Sequence, residues 1–255
     1  FFDKALVKLY WKHFFKRGLI EPEDDIRDTN PPSNPELLAA LEKHFIESGF
    51  DLKSLVRLIT QSSTYQLSAT PNEYNVQDAQ NYSRFYPKRL QAEVLLDAID
   101  DLTGTETTFA NMPPGTRAVA LPDNSYNRGS AFLRVFGRPE GASVCECERV
   151  EASSLSQSLH LMNDGTIKAK LADGNGRATK LSQSDKPPAE KVKDLYLAAF
   201  SREPRADELE TAVAYLAEPR VDASGKSLSE AAAAKENWQD LIWALMNTKE
   251  FLFNH

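Results

Sequence analysis

Residues 33–59 read SNPELLAALEKHFIESGFDLKSLVRLI, and their pattern decides the fold class. Ser33 and Glu36 have the spacing of a capping box, and Pro35 suits the first turn of a helix. The apolar residues that follow recur every three or four positions, as on one helix face: Leu38, Leu41 and Phe45. Gly49 stops this pattern, so the first half of the stretch predicts a helix.

A second helix is indicated directly after that glycine. Asp51 can cap it, because a carboxylate at this position accepts hydrogen bonds from amides of the first turn. Its apolar residues again share one face: Leu52, Leu55 and Ile59. Since the connection is so short, we expect the two helices to form an αα-hairpin.

The chain opens with a further amphipathic pattern, which Gly18 ends. Lysines recur along it at every fourth position and therefore lie on one stripe: Lys4, Lys8, Lys12 and Lys16. Such a stripe is typical of a solvated helix face, and it would also suit the docking of an acidic partner.

Helical patterns return later in the chain. They cover residues 87–104, from Ser153 or Ser154 to Ile167, 190–200, 206–217 and 228–253. The whole pattern predicts a mainly α protein, with a single helical domain over residues 1–255 that carries an irregular, loop-rich insert with short extended segments. A subdivision into residues 1–104, 105–150 and 151–255 is the alternative.

The insert covers residues 105–150, where prolines and glycines break the chain repeatedly. Its apolar runs at residues 119–121, 132–136 and 144–147 are too short for helices, so we expect extended segments there. Functional residues are often found on such loops when a rigid scaffold holds them. The insert is therefore the first place in which to look for a site.

The composition of the 255 residues limits the class of protein. A net charge of −7 argues against nucleic-acid binding, which depends on clustered Lys and Arg. No apolar run approaches the ~20 residues of a membrane-spanning helix, which predicts a soluble protein. The chain begins at Phe1 without an initiator methionine, so we expect an excision point there, and the lack of a signal peptide does not indicate a cytoplasmic protein.

The densest group of reactive side chains is Cys-Glu-Cys-Glu-Arg at residues 145–149. In an extended segment Cys145, Cys147 and Arg149 share one face, and the guanidinium favours thiolate, so these three form the candidate redox or disulfide site. Three interpretations remain open for the two thiols. They are buried and unreactive, they form a strained Cys-x-Cys disulfide, or they bind a metal with His160 as a further ligand.

An acidic loop at residues 21–28 offers oxygen ligands for a hard cation such as calcium. The candidate ligands are Asp24, Asp25 and Asp28, although their spacing is not that of an EF-hand. A solvated loop in which Arg27 forms an ion pair is the alternative.

Residues 70–86 are polar and rich in tyrosine, which predicts a long ordered loop anchored by its aromatic side chains. Tyrosine rings that are exposed in a groove would bind carbohydrate. On this hypothesis the candidate binding residues are Tyr86, Tyr126 and Arg138, and Tyr74 and Tyr82 are further candidate rings.

Several short motifs resemble those of one known family. They are YWKHFFKRGL at 10–19, NPPSNPELL at 30–38, SSTYQLS at 62–68, YPKRL at 86–90, FGRP at 136–139, CECER at 145–149 and EFLFN at 250–254. In this order, and across nearly the whole chain, they resemble the planctomycete-specific domain of unknown function. That domain follows a sister domain and a planctomycete-type cytochrome c domain in very large proteins.

The resemblance implies an extracytoplasmic location, with the sister domain and the cytochrome c domain as partners. It implies a c-type haem in the parent protein and no cofactor in this chain. It implies no established active site, and a link to polysaccharide use rests on association alone. Signatures of common enzymes, such as Gly-x-Ser-x-Gly, the P-loop and His-Glu-x-x-His, are also absent.

The leading functional hypothesis is therefore a non-catalytic scaffold or interaction module. One alternative is a redox or metal-assisted enzyme that uses Cys145 and Cys147. The other is a carbohydrate-binding module.

Overall fold

The computed structural model describes residues 2–22, 25, 27–122, 130–139, 157 and 164–254. Of these residues 54% are helical and 3% are in strands, which confirms the prediction of a mainly α protein. Residue contacts divide the described part of the chain into an N-terminal unit that ends at residue 88 and a C-terminal unit of residues 89–254. The single domain over residues 1–255 stays a prediction, and each unit is described by itself.

The N-terminal unit contains the helices α1 (Phe2–Phe15), α2 (Pro35–Glu47) and α3 (Leu52–Gln61), and each packs on the other two. The cap of α2 is Asn34, whose side chain accepts a hydrogen bond from Leu37 N at 2.9 Å. The predicted cap, Ser33, lies one residue too early, because Pro35 takes the first helical position and the residue before it becomes the cap.

The α2–α3 hairpin is present as predicted. Asp51 Oδ1 accepts from Lys53 N at 2.8 Å and from Ser54 N at 3.3 Å, so it caps α3. The predicted apolar faces of the two helices line the core of this unit, and the residues buried there include Leu38, Leu41, Phe45, Leu55 and Ile59.

The predicted lysine stripe, from Lys4 in α1 to Lys16 just after it, is not solvated along its whole length. Lys8 is 3% exposed, because α1 packs on both other helices and buries the face that carries it. Lys12 Nζ lies 3.7 Å from Glu21 Oε2, and Lys16 Nζ donates to the Pro87 carbonyl at 3.2 Å. These side chains therefore hold the N-terminal unit together.

The loop at residues 70–86 is anchored by aromatic side chains, as the sequence predicts. Tyr82 and Phe85 are buried, and the Tyr82 hydroxyl donates to the Gly18 carbonyl at 2.9 Å. Asp78 accepts from Gln80 N and Asn81 N at 2.9 and 2.8 Å, which fixes the turn before Tyr82. A hydrogen bond from the Ser83 hydroxyl, together with these hydrogen bonds from amides, holds the pKa of the Asp78 carboxyl well below its ordinary value.

The C-terminal unit is also built from helices. They are α4 (Ala92–Thr103), α5 (Ala131–Val135), α6 (Gly165–Ala172), α7 (Arg177–Gln183), α8 (Pro188–Phe200), α9 (Ala206–Leu216), α10 (Glu230–Met246) and α11 (Lys249–Leu252). The described residues also include two strands of two residues each: β1 (Lys88–Arg89), which begins with the last residue of the N-terminal unit, and β2 (Phe253–Asn254). Helices α4 and α10 supply many of the fully buried residues of its core, such as Leu95, Ile99 and Ile242.

Several predicted boundaries in this unit are corrected. Helix α4 begins at Ala92 and not at residue 87, because the chain before it is extended and Leu90 N donates to the Leu252 carbonyl at 2.9 Å. Helix α10 ends at Met246 and not at residue 253, because Thr248 starts a new helix by accepting from Phe251 N at 3.2 Å. Helix α7 lies outside the helical patterns predicted from the sequence.

The insert is less extended than expected. Residues 118–120 form a 3-10 turn, and residues 132–135 belong to α5. Ser130 caps α5 by accepting from Leu133 N at 3.3 Å, and the rings of Phe132 and Phe136 stack with centroids 4.2 Å apart, which suits two residues one helical turn apart. Residues 144–147 lie outside the described residues.

Candidate functional site

Helix α4 carries a row of acidic side chains: Glu93, Asp97, Asp100 and Asp101. Their spacing of four, three and one positions places them on one flank of the helix. The leucines and isoleucine of α4 point the other way, into the core. Helix α4 therefore packs its apolar side on other helices, and its acidic side contacts the insert.

Asp97 fixes the middle of the insert. Its side chain is 6% exposed, and its two oxygens accept from Ala118 N at 2.7 Å and from Val119 N at 3.2 Å. Arg117 Nε lies 3.4 Å from the same carboxylate, and its Nη1 and Nη2 atoms donate to Asp101 at 2.6 and 2.8 Å. The hydrogen bonds to Asp101, and the nearby charge of Asp97, raise the pKa of the Arg117 guanidinium above its ordinary value.

Glu93 holds the end of the described insert through a buried ion pair. Glu93 Oε1 lies 3.0 Å from Arg138 Nε, and both side chains are at most 10% exposed. Arg138 also donates to the Leu121 carbonyl at 3.4 Å, and Arg89 donates to the Phe136 carbonyl at 2.9 Å. A buried ion pair is costly to break because each charge would be left without compensation, so this contact fixes the local geometry.

Asp100 connects α4 to α6 and to the start of the insert. Its Oδ1 atom lies 2.7 Å from Lys170 Nζ, and its Oδ2 atom accepts from Thr107 N at 2.7 Å. Lys170 also donates to Thr105 Oγ1 at 3.3 Å. The insert is thus held on α4 at three successive points, near Thr107, Ala118 and Arg138.

Two clefts meet beside the C-terminal end of α4, and both are lined by Thr105, Glu106 and Thr107. The first encloses about 350 Å³ and is mostly polar, with three of the α4 carboxylates and Arg117 in its wall. The second encloses about 370 Å³ and has an apolar floor, which is formed by Leu96, Ile99, Phe109, Phe132 and Ile167. A small polar molecule with one apolar face would suit this second cleft.

Most of the residues proposed from the sequence as a redox or metal site lie outside the described residues. They are Cys145, Cys147, Arg149 and His160, together with Asp24 and the candidate binding residue Tyr126. Their roles stay predictions. Within the part of the chain that the structure describes, no three His, Cys, Asp or Glu side chains are grouped so that they could hold a metal ion.

Two of the three candidate ligands in the acidic loop, Asp25 and Asp28, are among the described residues. Asp25 forms the ion pair with Arg27 that the sequence offered as the alternative, with Nη2 and Oδ2 2.6 Å apart. The bond to Arg27 lowers the pKa of the Asp25 carboxyl. Asp28 instead lines a separate cleft of about 500 Å³, beside Lys4 and Asn30.

Two candidate binding residues are in the interior. Arg138 is 6% exposed and pairs with Glu93, as described above. Tyr86 is 9% exposed, and its hydroxyl donates to Asp78 Oδ2 at 3.1 Å. Tyr82 is also buried, whereas Tyr74 is 88% exposed. Of the described tyrosines proposed for sugar binding, only Tyr74 presents its ring to solvent.

The acidic row of α4 was not singled out from the sequence, although a signal for it exists. The helix reads AEVLLDAIDDLT, in which carboxylates at helical spacing interrupt an apolar segment. Such residues are rarely buried without partners, so cationic partners could have been expected. The sequence could not show which cations these are, because Arg117, Arg138 and Lys170 are distant along the chain.

Comparison with known proteins adds one match. The model of the family PSD1, described as a protein of unknown function (DUF1553), matches residues 1–216. No curated protein and no solved structure matches the chain. Among the described helices, none combines the length and apolarity that crossing a membrane requires.

Proposed function

This chain belongs to the PSD1 family, whose function is unknown, and from that premise we propose that it is a non-catalytic scaffold or interaction module. In this proposal the helical body holds the insert in one conformation, and the insert presents the binding surface. Loops held by a rigid framework are common binding sites.

One observation supports the proposal above all. The acidic side chains of α4 are engaged within the protein: Asp97 accepts two amides of the insert, and Glu93 pairs with Arg138 of the insert. Asp100 pairs with Lys170 of α6. A catalytic acid or base must reach a substrate, whereas Asp97 and Glu93 are enclosed by the insert itself. Their arrangement suits a framework.

The finer context of the proposal comes from the resemblance of the motifs. We propose that the module acts outside the cytoplasm, within a large protein that carries a c-type haem, and that its partners are the sister domain and the cytochrome c domain of that protein. A link with polysaccharide use belongs to the same proposal. Haem staining of the parent protein, after fractionation of the cells that produce it, tests this context, and a haem-free cytoplasmic protein would contradict it.

A direct test of the scaffold is to titrate this chain with the sister domain, which is produced separately, and to measure the binding by calorimetry. We expect saturable binding that Asp97→Ala weakens, because the variant loosens the insert. Asp101→Asn is the matched control, since this exposed carboxylate holds no backbone amide. Equal affinity of both variants would contradict a binding role for the insert.

Turnover assays test the non-catalytic part of the proposal. The purified chain is incubated with sulfated and plain polysaccharides and with chromogenic sulfate esters and glycosides. No turnover is expected. The proposal would be overturned if enzymatic activity eluted together with the chain from a size-exclusion column.

A further inference from the structure

The second of the two clefts beside α4 has the size and the lining of a small-molecule site, and we call it the apolar cleft. It encloses about 370 Å³, which is within the range of ligand pockets in proteins. Its floor is continuous with the core of the C-terminal unit, since Leu96, Ile99 and Ile167 are at most 4% exposed. A well-packed floor does not give way easily, so a ligand would meet a fixed apolar surface.

The walls of this cleft and of its polar neighbour carry an excess of negative charge. Six carboxylates and two cations line the two clefts: Asp97, Asp100, Asp101, Glu106, Asp164 and Asp173, with Arg117 and Lys170. Residues 123–129, 140–156 and 158–163, which lie outside the described part, contain five acidic residues and two arginines. The neighbouring sequence therefore adds no net positive charge, and the charge balance favours a cationic ligand.

The two cations in the walls already have partners. Arg117 pairs with Asp97 and Asp101, as described above. Lys170 is 8% exposed, and its Nζ atom lies 2.7 Å from Asp100 Oδ1. Both positive charges are therefore compensated within the protein, which argues against an anionic ligand.

Two consecutive side chains in the wall that both clefts share lack partners among the described residues. Glu106 forms no ion pair and no hydrogen bond there. The Thr107 amide donates to Asp100, but the buried Thr107 Oγ1 atom has no hydrogen-bond partner. Because buried hydroxyl groups are ordinarily hydrogen-bonded, an unsatisfied one next to an unpaired carboxylate indicates a ligand with N–H donors.

We propose that the apolar cleft binds an organic ammonium ion. The ammonium group pairs with Glu106 and donates to Thr107 Oγ1, and the apolar body of the ligand packs on the floor of the cleft. Hydrogen bonds from a cation to a carboxylate are among the strong ones, and the rings of Phe109 and Phe132 in the floor also attract a cation. This inference goes beyond the scaffold role, and its failure would leave the binding of the sister domain untouched.

Calorimetric titration of the full chain with phenethylamine tests the proposal. This probe is an ammonium ion at neutral pH, whereas phenethyl alcohol is neutral and phenylacetate is an anion with the same ring. We expect the amine to bind about tenfold more tightly than the alcohol, because only the amine pairs with Glu106, and we expect no binding of phenylacetate. The proposal is overturned if the amine does not bind, or if either of the other probes binds as tightly.

Glu106→Gln removes the charge and nearly keeps the shape of the side chain. Since Glu106 has no partner among the described residues, the melting temperature is expected to stay the same. The affinity for phenethylamine is expected to fall by about tenfold, while the affinity for phenethyl alcohol stays as it is. Glu210→Gln is the matched control, because Glu210 is an exposed carboxylate of α9 that lines neither cleft. Equal affinities of the two variants for the amine would overturn the proposal.

Thr107→Val separates binding from folding. Valine keeps the shape of threonine but removes the unsatisfied hydroxyl, so the melting temperature is expected to stay equal or to rise. The affinity for phenethylamine is expected to fall by about threefold, because the ammonium group loses one acceptor. A lower melting temperature together with unchanged affinity would show that the Thr107 hydroxyl serves the fold, and would overturn its assignment to the site.

Discussion

Asp97 and Asp101 share Arg117 as a partner, but their surroundings differ. The side chain of Asp97 is 6% exposed and that of Asp101 is 61% exposed. Only Asp97 also accepts backbone amides. If a buried acceptor is removed, the amides that donated to it lose their hydrogen bonds and the fold is destabilised. An exposed ion pair contributes little to stability, because water solvates both charges when the pair is broken.

We therefore expect Asp97→Asn to lower the free energy of unfolding by about 1–3 kcal/mol, because an amide nitrogen would face one of the two backbone donors. Asp101→Asn is expected to change it by less than about 0.5 kcal/mol. Urea unfolding followed by circular dichroism measures both. If the two variants were equally stable, Asp97 would not be anchoring the insert.

Arg202 joins two helices, because it pairs with Glu208 of α9 and with Glu250 of α11. Its Nη1 and Nη2 atoms donate to Glu208 at 2.8 and 3.0 Å, and its Nε and Nη2 atoms donate to Glu250 at 2.6 and 2.8 Å. The guanidinium also lies 5.7 Å from the ring centroid of Tyr196, within the range of a cation–π contact. The hydrogen bonds from Arg202 lower the pKa of Glu208 from 4.5 to about 2.

This shift predicts a pH dependence of stability. Because the folded pKa of Glu208 lies below the unfolded one, the pair stabilises the fold fully above pH 4.5, and the stabilisation is lost as the pH falls towards about 2. The difference in unfolding free energy between the wild type and Glu208→Gln should therefore be constant near neutral pH and shrink over that acidic range. Arg202→Met should remove the same pH dependence. If the unfolding free energies of the wild type and Glu208→Gln instead changed in parallel as the pH falls, the folded protein would not lower the pKa of Glu208.

At the scale of elements, local signals of the sequence were reliable where the structure depends on neighbours along the chain. Asp51 caps α3 and Gly104 ends α4 in a left-handed conformation, because caps and turns are decided by the nearest few residues. The start of α4 was missed because a hydrogen bond from Leu90 to distant Leu252 keeps the preceding residues extended.

The candidate site was harder to predict from the sequence, because its contacts also join residues that are distant along the chain. The distance along the chain from Glu93 to Arg138 is large, and pattern analysis has no access to such contacts. Lys8 is a similar case, since its helical position was predicted but its burial depends on two other helices.

The end of α4 gives a prediction at this scale. Gly104 has a φ of 66°, and a Cβ atom there would lie 3.3 Å from Arg177 N at the start of α7. Gly104→Ala is expected to reduce the free energy of unfolding by roughly 1–2 kcal/mol, through left-handed strain and this close approach. Gly174→Ala is the control, since nothing lies within 4 Å of its added Cβ. It should change stability by less than about 0.5 kcal/mol, and equal effects would contradict the argument.

At the scale of the molecule, the buried apolar side chains of the described residues form two separate clusters. One consists of residues of the N-terminal unit, including Trp11, and the other of residues of the C-terminal unit, including Trp238. Units with separate cores can unfold at separate midpoints, whereas one cooperative domain unfolds in a single step.

The distribution of tryptophans allows a test of this point. In Trp11→Phe, the remaining tryptophans, Trp238 and Trp243, report only on the C-terminal unit, while circular dichroism reports on both units. Two separate cores predict a fluorescence midpoint in urea that differs from the midpoint of the helical signal. Coincident transitions would instead support the single domain predicted from the sequence.

The three attachment points of the insert on α4 also bear on how such a protein can diversify. They divide a long irregular stretch into shorter closed loops, and the entropic cost of lengthening a closed loop rises only slowly with its length. Phe109 and Met112 pack against the core, but residues 113–115, which also lie between the anchors at Thr107 and Ala118, are exposed. These exposed residues can therefore change in number and composition while the helices stay as they are. The protein is suited to accept foreign peptides there, much as antibody frameworks accept new recognition loops.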